Sequence, residues 1–193
     1  MTVPIGKGRF KPEYLFRPRS IAVVGASTAL GQAVLLNLRA GGYAGAITET
    51  ERAQDLPVAS DLALITTAPE DAGAAIATIG RLGILAAICL TPAPDLAAAA
   101  QAAKVRVLGP SAFGIMVPSL HLNATAGPLG AQPGRVALVS QSAALCRSVL
   151  DWAGPNGVGF RAGDVVDTED LNVKKAESKA SRYGRTDYFG TAP

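Results

Sequence analysis

The chain has 193 residues, 49% of them hydrophobic, with a formal net charge of +3 and a pI near 9.0. That apolar content suffices for one domain and part of another, and the mild positive balance, without a long Lys/Arg cluster before the last thirty or so residues, gives no sign of nucleic-acid binding. No stretch is apolar enough to span a bilayer, the N-terminus lacks the apolar core of a signal peptide, and Cys89 and Cys146 have neither CxxC spacing nor a disulfide framework, so the expectation is a cytoplasmic protein without membrane contact.

Residues 1–19 read as an N-terminal arm in which Tyr14, Leu15 and Phe16 pack on the domain that follows. The organising stretch is SIAVVGASTALG, Ser20 to Gly31. Ile21 to Val24 is a continuous β-branched and apolar run stopped by Gly25, as in a strand buried on both faces of a parallel sheet. Leu30, Val34, Leu35 and Leu38 then recur at helical spacing through Arg39, and Gly41-Gly42 end the pattern. A glycine turn that opens a helix presents unpaired amides to an anion, so Gly25, Ala26, Ser27, Thr28 and Gly31 are candidate phosphate-binding residues. The alternative reading is a tight strand-to-helix connection in which Ser27 or Thr28 is only a helix cap. The dinucleotide fingerprint GxGxxG is absent, because Ser27 stands where its second glycine belongs.

Further on, Ala46 to Thr48 is a short candidate strand, followed by Glu49 and Glu51, which read either as solvated loop carboxylates or as acids for a ribose hydroxyl. Asp61 to Thr66 is the next apolar strand, and Thr67-Ala68-Pro69-Glu70-Asp71 carries the proline and acids of a helix start, with the helix running to about Leu82. Leu85 to Leu90, a helix from Asp95 to Ala103, and a strand from Val105 to Leu108 continue the alternation. Such alternation predicts an α/β fold, a doubly wound parallel sheet whose ligand crevice lies at the carboxyl ends of the strands. The chemistry is therefore expected at Gly25-Ala26-Ser27, Thr67-Ala68-Pro69, Thr91-Pro92 and Gly109-Pro110-Ser111.

Gly109 to Gly134 is rich in turn formers and reads as a covering loop or crossing linker. The pattern restarts with a strand from Arg135 to Val139, a polar turn at Ser140-Gln141-Ser142 and a helix from Ala143 to Trp152. The turn reads as a helix cap or as a second anion site, and the helix's apolar face calls for cover from the first domain or from another chain, including a second copy of this one. From Arg161 the apolar periodicity stops, and residues 161–193 read as a polar, disordered tail. His121, the one histidine, has no acid or nucleophile near it in sequence and reads as a loop residue. No metal-ligand spacing occurs.

Taken in order, FRPRSIAVVGAS, GYAG, SDLALITTAPE, VLGPSAFGIM, LNATAGP and GRVALVSQSAAL resemble the CoA-binding region of the ADP-forming acyl-CoA synthetases. The same region resembles the succinyl-CoA synthetase alpha subunit and the lysine acetyltransferases that carry this module. The resemblance spans about Leu15 to Phe160. It implies a Rossmann-like CoA-binding domain over residues 20–130, and over 131–160 the start of an incomplete flavodoxin-like second domain. It also implies coenzyme A or acyl-CoA as ligand. Gly25, Ser27, Thr28 and Gly31 would hold phosphate, Thr67 and Pro69 would touch the nucleotide and pantetheine, and Gly109, Pro110, Ser111, Phe113 and Gly114 would line the thiol end. Ala26, Ala68 and Thr91 complete the lining.

Three departures stand out. The VNP-like segment after the second strand is replaced by Thr48-Glu49-Thr50-Glu51-Arg52, GPNCxG is GPSAFG, and SQSG is SQSA with Ala143. The relay histidine of the ligases and their ATP-grasp domain have no counterpart here, so the expected function is a CoA-binding module that is not a competent ligase alone. The alternatives are one subunit of a split acyl-CoA synthetase or acyltransferase, whose partner chain supplies the ATP-grasp domain, and, ranked last, an NAD(P)-dependent oxidoreductase.

Overall fold

The computed structural model describes residues 10–165, with side chains through 161. Nearly all of the expected tail, and residues 1–9 of the arm, lie outside the described residues. After a one-turn helix α1 (Glu13–Phe16), which buries Leu15, come β1 (Ser20–Val24), α2 (Ala29–Gly41) and β2 (Ala46–Thr50). Then follow β3 (Leu62–Ile65), α3 (Ala72–Arg81), β4 (Ala86–Cys89), α4 (Leu96–Ala103) and β5 (Arg106–Leu108). All five strands are parallel, in the order β2-β1-β3-β4-β5. This is the doubly wound sheet read from the alternation, and the order reverses between β1 and β3, where such sheets open their ligand crevice.

The continuous apolar runs are explained by burial on both faces. Ile21, Val23, Leu62 and Leu64 face one cluster with Val34, Leu35 and Leu38 of α2, while Ala22, Val24, Ala63 and Ile65 face another with Ile76 and Ile79 of α3 and Leu96 of α4. A parallel sheet covered by helices on both sides has no polar face to alternate with, hence the absence of a period-2 signal.

Residues 109–134, read as a loop or linker, include two strands instead. β6 (Gly114–Val117) and β7 (Leu122–Thr125) pair antiparallel across a 3-10 turn at Pro118–Leu120. They join β8 (Pro133–Ala137) and β9 (Phe160–Val165) in a second sheet of order β7-β6-β9-β8, with α5 (Ala143–Ala153) between β8 and β9. β9 carries strand structure past Phe160, so the first residues of the expected tail are paired with β6 and β8. β8 begins two residues earlier than read and is exposed throughout.

Helix α2 lies between the two sheets: Ile115, Val117, Leu122 and Ala124 share its cluster. Met116 faces the other way, onto Cys146 and Leu150 of α5. The Asn37 amide ties α2 to the second sheet through bonds to the carbonyls of Thr125 and Gly127, both 2.7 Å.

Candidate functional site

At the carboxyl end of β1 the chain turns on Gly25, whose φ is +88°. A Cβ there would stand 2.6 Å from the backbone nitrogen of Thr67, so the turn after β1 is pressed directly onto the turn after β3. One at Gly31 would stand 2.3 Å from the Gly25 carbonyl oxygen, which fixes α2 against the same turn. Only glycine permits both approaches. The result is a bare backbone cradle at the β1/β3 crevice, with the first turn of α2 as its wall.

Thr28 is the N-cap of α2. Its hydroxyl accepts from the Gly31 N–H at 2.9 Å and donates toward the carbonyls of Gly25 and Thr66, each at 2.9 Å. The Thr28 side chain is therefore engaged with the protein. Thr66 closes the corner from below, its buried hydroxyl donating toward the Val24 and Gly25 carbonyls. The N–H groups of Ala29 and Leu30 have no acceptor among the described residues, as expected of first-turn amides. The Thr67 hydroxyl oxygen is buried beside the cradle without a hydrogen-bond partner.

Ser27 and Glu51 form a contact that sequence reasoning missed. Strand β2 runs two residues further than read, placing Glu49 on the strand and Glu51 one residue beyond it. Glu49 pairs with Arg39 of α2. The Glu51 carboxylate takes the Ser27 N–H at 3.0 Å and the Ser27 hydroxyl at 2.5 Å. Both carboxylates are exposed, and each is also bonded to a group of the protein. The available signal was a hydroxyl residue in the glycine turn together with an acid immediately past the neighbouring strand.

The other sequence-derived residues divide between the sheets. Ala68 and Pro69 follow Thr67 into a 3-10 turn at Pro69–Asp71 that leads into α3. Buried Thr91 accepts the Ser111 N–H at 3.1 Å, and the Cys89 carbonyl accepts the Ala112 N–H at 3.0 Å, so the β4 and β5 ends, with Gly109 and Pro110, are stitched into one rim. Thr67 to Pro69, Thr91 and Gly109 to Ser111 therefore share one end of the first sheet with the cradle. Phe113 and Gly114 lead into the second sheet, where the Phe113 ring lies 5.8 Å beneath the Arg147 guanidinium of α5. Ser142 caps α5 by accepting the Leu145 N–H at 3.2 Å, and Ser140 accepts the Ser142 N–H at 3.0 Å.

The Cys89 thiol lies within this rim, whereas His121 lies away from it. The Cys89 thiol is buried, which pushes its pKa up to about 11, and it donates to the Thr91 carbonyl at 3.3 Å. His121 is exposed, and its carbonyl packs against Gly41 at the far end of α2. Twelve residue steps of helix separate that end from the cradle side, about 18 Å.

No protein-family model matches the chain. It is 27% identical to the alpha subunit of the ADP-forming acetate–CoA ligase I of Pyrococcus furiosus, over 83% of this chain and 43% of the relative. It is 28% identical to the ADP-forming acetate–CoA ligase I of Archaeoglobus fulgidus, over 77% of this chain and 25% of the relative. Among solved structures, the dinucleotide-forming acetyl-coenzyme A synthetase 1 of Ca. Korarchaeum cryptofilum, in complex with phosphate and ADP, superposes with a TM-score of 0.76 at 27% identity, over 88% of this chain and 43% of that one. The chain is thus homologous to ADP-forming acetate–CoA ligases and shares the fold of this synthetase, while spanning less than half the length of these relatives.

Proposed function

We propose that this chain binds coenzyme A or an acyl-CoA at the β1/β3 crevice and serves as the CoA-binding part of an ADP-forming acyl-CoA synthetase. The observation that carries this is the cradle: two glycines at which a side chain would collide with backbone, two first-turn amides without acceptors, and the orphaned Thr67 hydroxyl beside them. Backbone N–H groups at a helix start favour a phosphate through both unpaired donors and the helix dipole. CoA supplies phosphates and, from them, a long chain that can follow the rim past Thr67, Thr91 and Gly109 to Ser111. Homology to enzymes named as ADP-forming acetate–CoA ligases, together with the shared fold, makes CoA a better candidate than NAD. The NAD reading loses its main support because Glu49 and Glu51 are each committed to protein partners.

Catalysis is assigned to an assembly. An acyl-phosphate route needs a nucleophilic imidazole beside the reacting groups, and His121 lies at the wrong end of α2 for one at the cradle. Two relatives are named as alpha subunits, which supports a partner chain that provides nucleotide chemistry. Isothermal titration with CoA, NAD and NADP tests the binding claim. Saturable CoA binding with weaker or absent NAD binding is expected; no heat with millimolar CoA would overturn it. Affinity capture from the source cells, followed by assay of ADP-dependent acyl-CoA formation, tests the assembly.

A further inference from the structure

We propose that Glu51 is a resident anion at the phosphate end of the crevice, which an incoming ligand phosphate must displace or tolerate, so that this one carboxylate weakens and tunes CoA binding. The inference rests on the CoA reading and adds to it a residue that sets selectivity. Its basis is the pair of bonds from Ser27 to the two Glu51 oxygens, 3.0 Å from the N–H and 2.5 Å from the hydroxyl. The Gly25 and Ala26 N–H groups donate to the Thr50 carbonyl, so Ser27 contributes the first donors past them, and an anion already holds these. The Glu51 charge is not neutralised by a cation: among the described residues, Arg39 pairs with Glu49, Arg52 with Asp55 and Arg19 with Asp61, and Glu51 enters no ion pair. The acids of the neighbouring turn, Glu70 and Asp71, add no compensating positive charge.

A carboxylate imitates a phosphate at a helix start. It lowers the energy of the ligand-free protein by answering the same donors and the same dipole, and it repels a second anion brought within a few ångströms. Both effects work against a phosphate ligand, and both favour ligands with less negative charge at this end.

The test is calorimetric titration of CoA and dephospho-CoA into the wild-type chain, E51Q and E51A, with melting temperatures measured on the same samples. Gln keeps an oxygen for the Ser27 N–H and removes the charge; Ala removes both. The expectation is CoA binding about tenfold tighter in E51Q and at least as tight in E51A, while both variants melt a few degrees lower because α2 has lost its anion. Opposite signs for binding and stability are what a purely structural role would not give. Dephospho-CoA, which has one phosphate fewer, should gain no more than CoA does. CoA affinity in E51Q within threefold of wild type, or weaker, would overturn the proposal, the second result making Glu51 a direct ligand contact. Absence of CoA binding in all three proteins would instead remove the CoA reading, and the proposal with it.

Discussion

Thr28 shows how a residue can satisfy two readings of the same turn. Its hydroxyl caps α2 and braces the turns after β1 and β3, so its first contribution is structural. Thr28→Ala should lower unfolding stability by about 1 kcal/mol in urea, and Thr28→Ser should recover most of the loss. Gly25 is less separable. A valine there would strike the Thr67 backbone before meeting a ligand, so Gly25→Val should lower the melting temperature as well as abolish binding, and a lost ligand in that variant would not by itself identify the site. Cys89 provides a pH signature. Its thiol ionises near 9 when free and near 11 when folded, so its contribution is intact below pH 9 and lost as pH rises through 11, because only the unfolded chain releases the proton in that window. The expected loss is about 2 kcal/mol between pH 9 and 11 in denaturant titrations, and Cys89→Ala should lack that part of the slope.

Among the elements, α2 has the most to hold. It caps the cradle with its first turn, fills the space between the sheets with Val34, Leu35 and Leu38, and anchors the second sheet through Asn37. Leu35→Ala should cost about 2–5 kcal/mol in chemical denaturation, since the cavity would open between two packed layers. This helix was legible from sequence because its apolar residues keep the 3.6-residue period and a glycine pair ends it. β1, β3, β4 and β5 were legible as unbroken apolar runs between turns, whereas β2, with Thr48, Glu49 and Thr50, was read only as far as Thr48. The second sheet was not, for physical reasons that differ strand by strand. β6 and β7 are four residues each, set among glycine and proline, and β8 is exposed along its whole length, so no buried face imprints a pattern on it. β9 owes its strand structure to long-range partners on β6 and β8 rather than to local propensity. The site followed the same division: the glycine turn and strand ends were readable, whereas the Ser27–Glu51 bond depends on side-chain placement across two strands.

At the scale of the whole molecule, the layers run from α3 and α4, through the parallel sheet, to α2, the second sheet and α5. This order leaves the β1/β3 crevice at one end of the first sheet, with the rim of Thr67, Thr91 and Gly109 leading away from it. Along the outer face, Leu145 and Trp152 of α5 and Val136 of β8 are exposed. The central claim is that CoA enters by the cradle, and its most direct test is nuclear magnetic resonance of the ¹⁵N-labelled chain during CoA titration. The largest saturable amide shifts are expected at Ala26 to Gly31 and at Thr67 and Ala68, with smaller shifts along Ser111 and Ala112. Shifts confined to Ser140 to Leu145, or none in the presence of millimolar CoA, would contradict it.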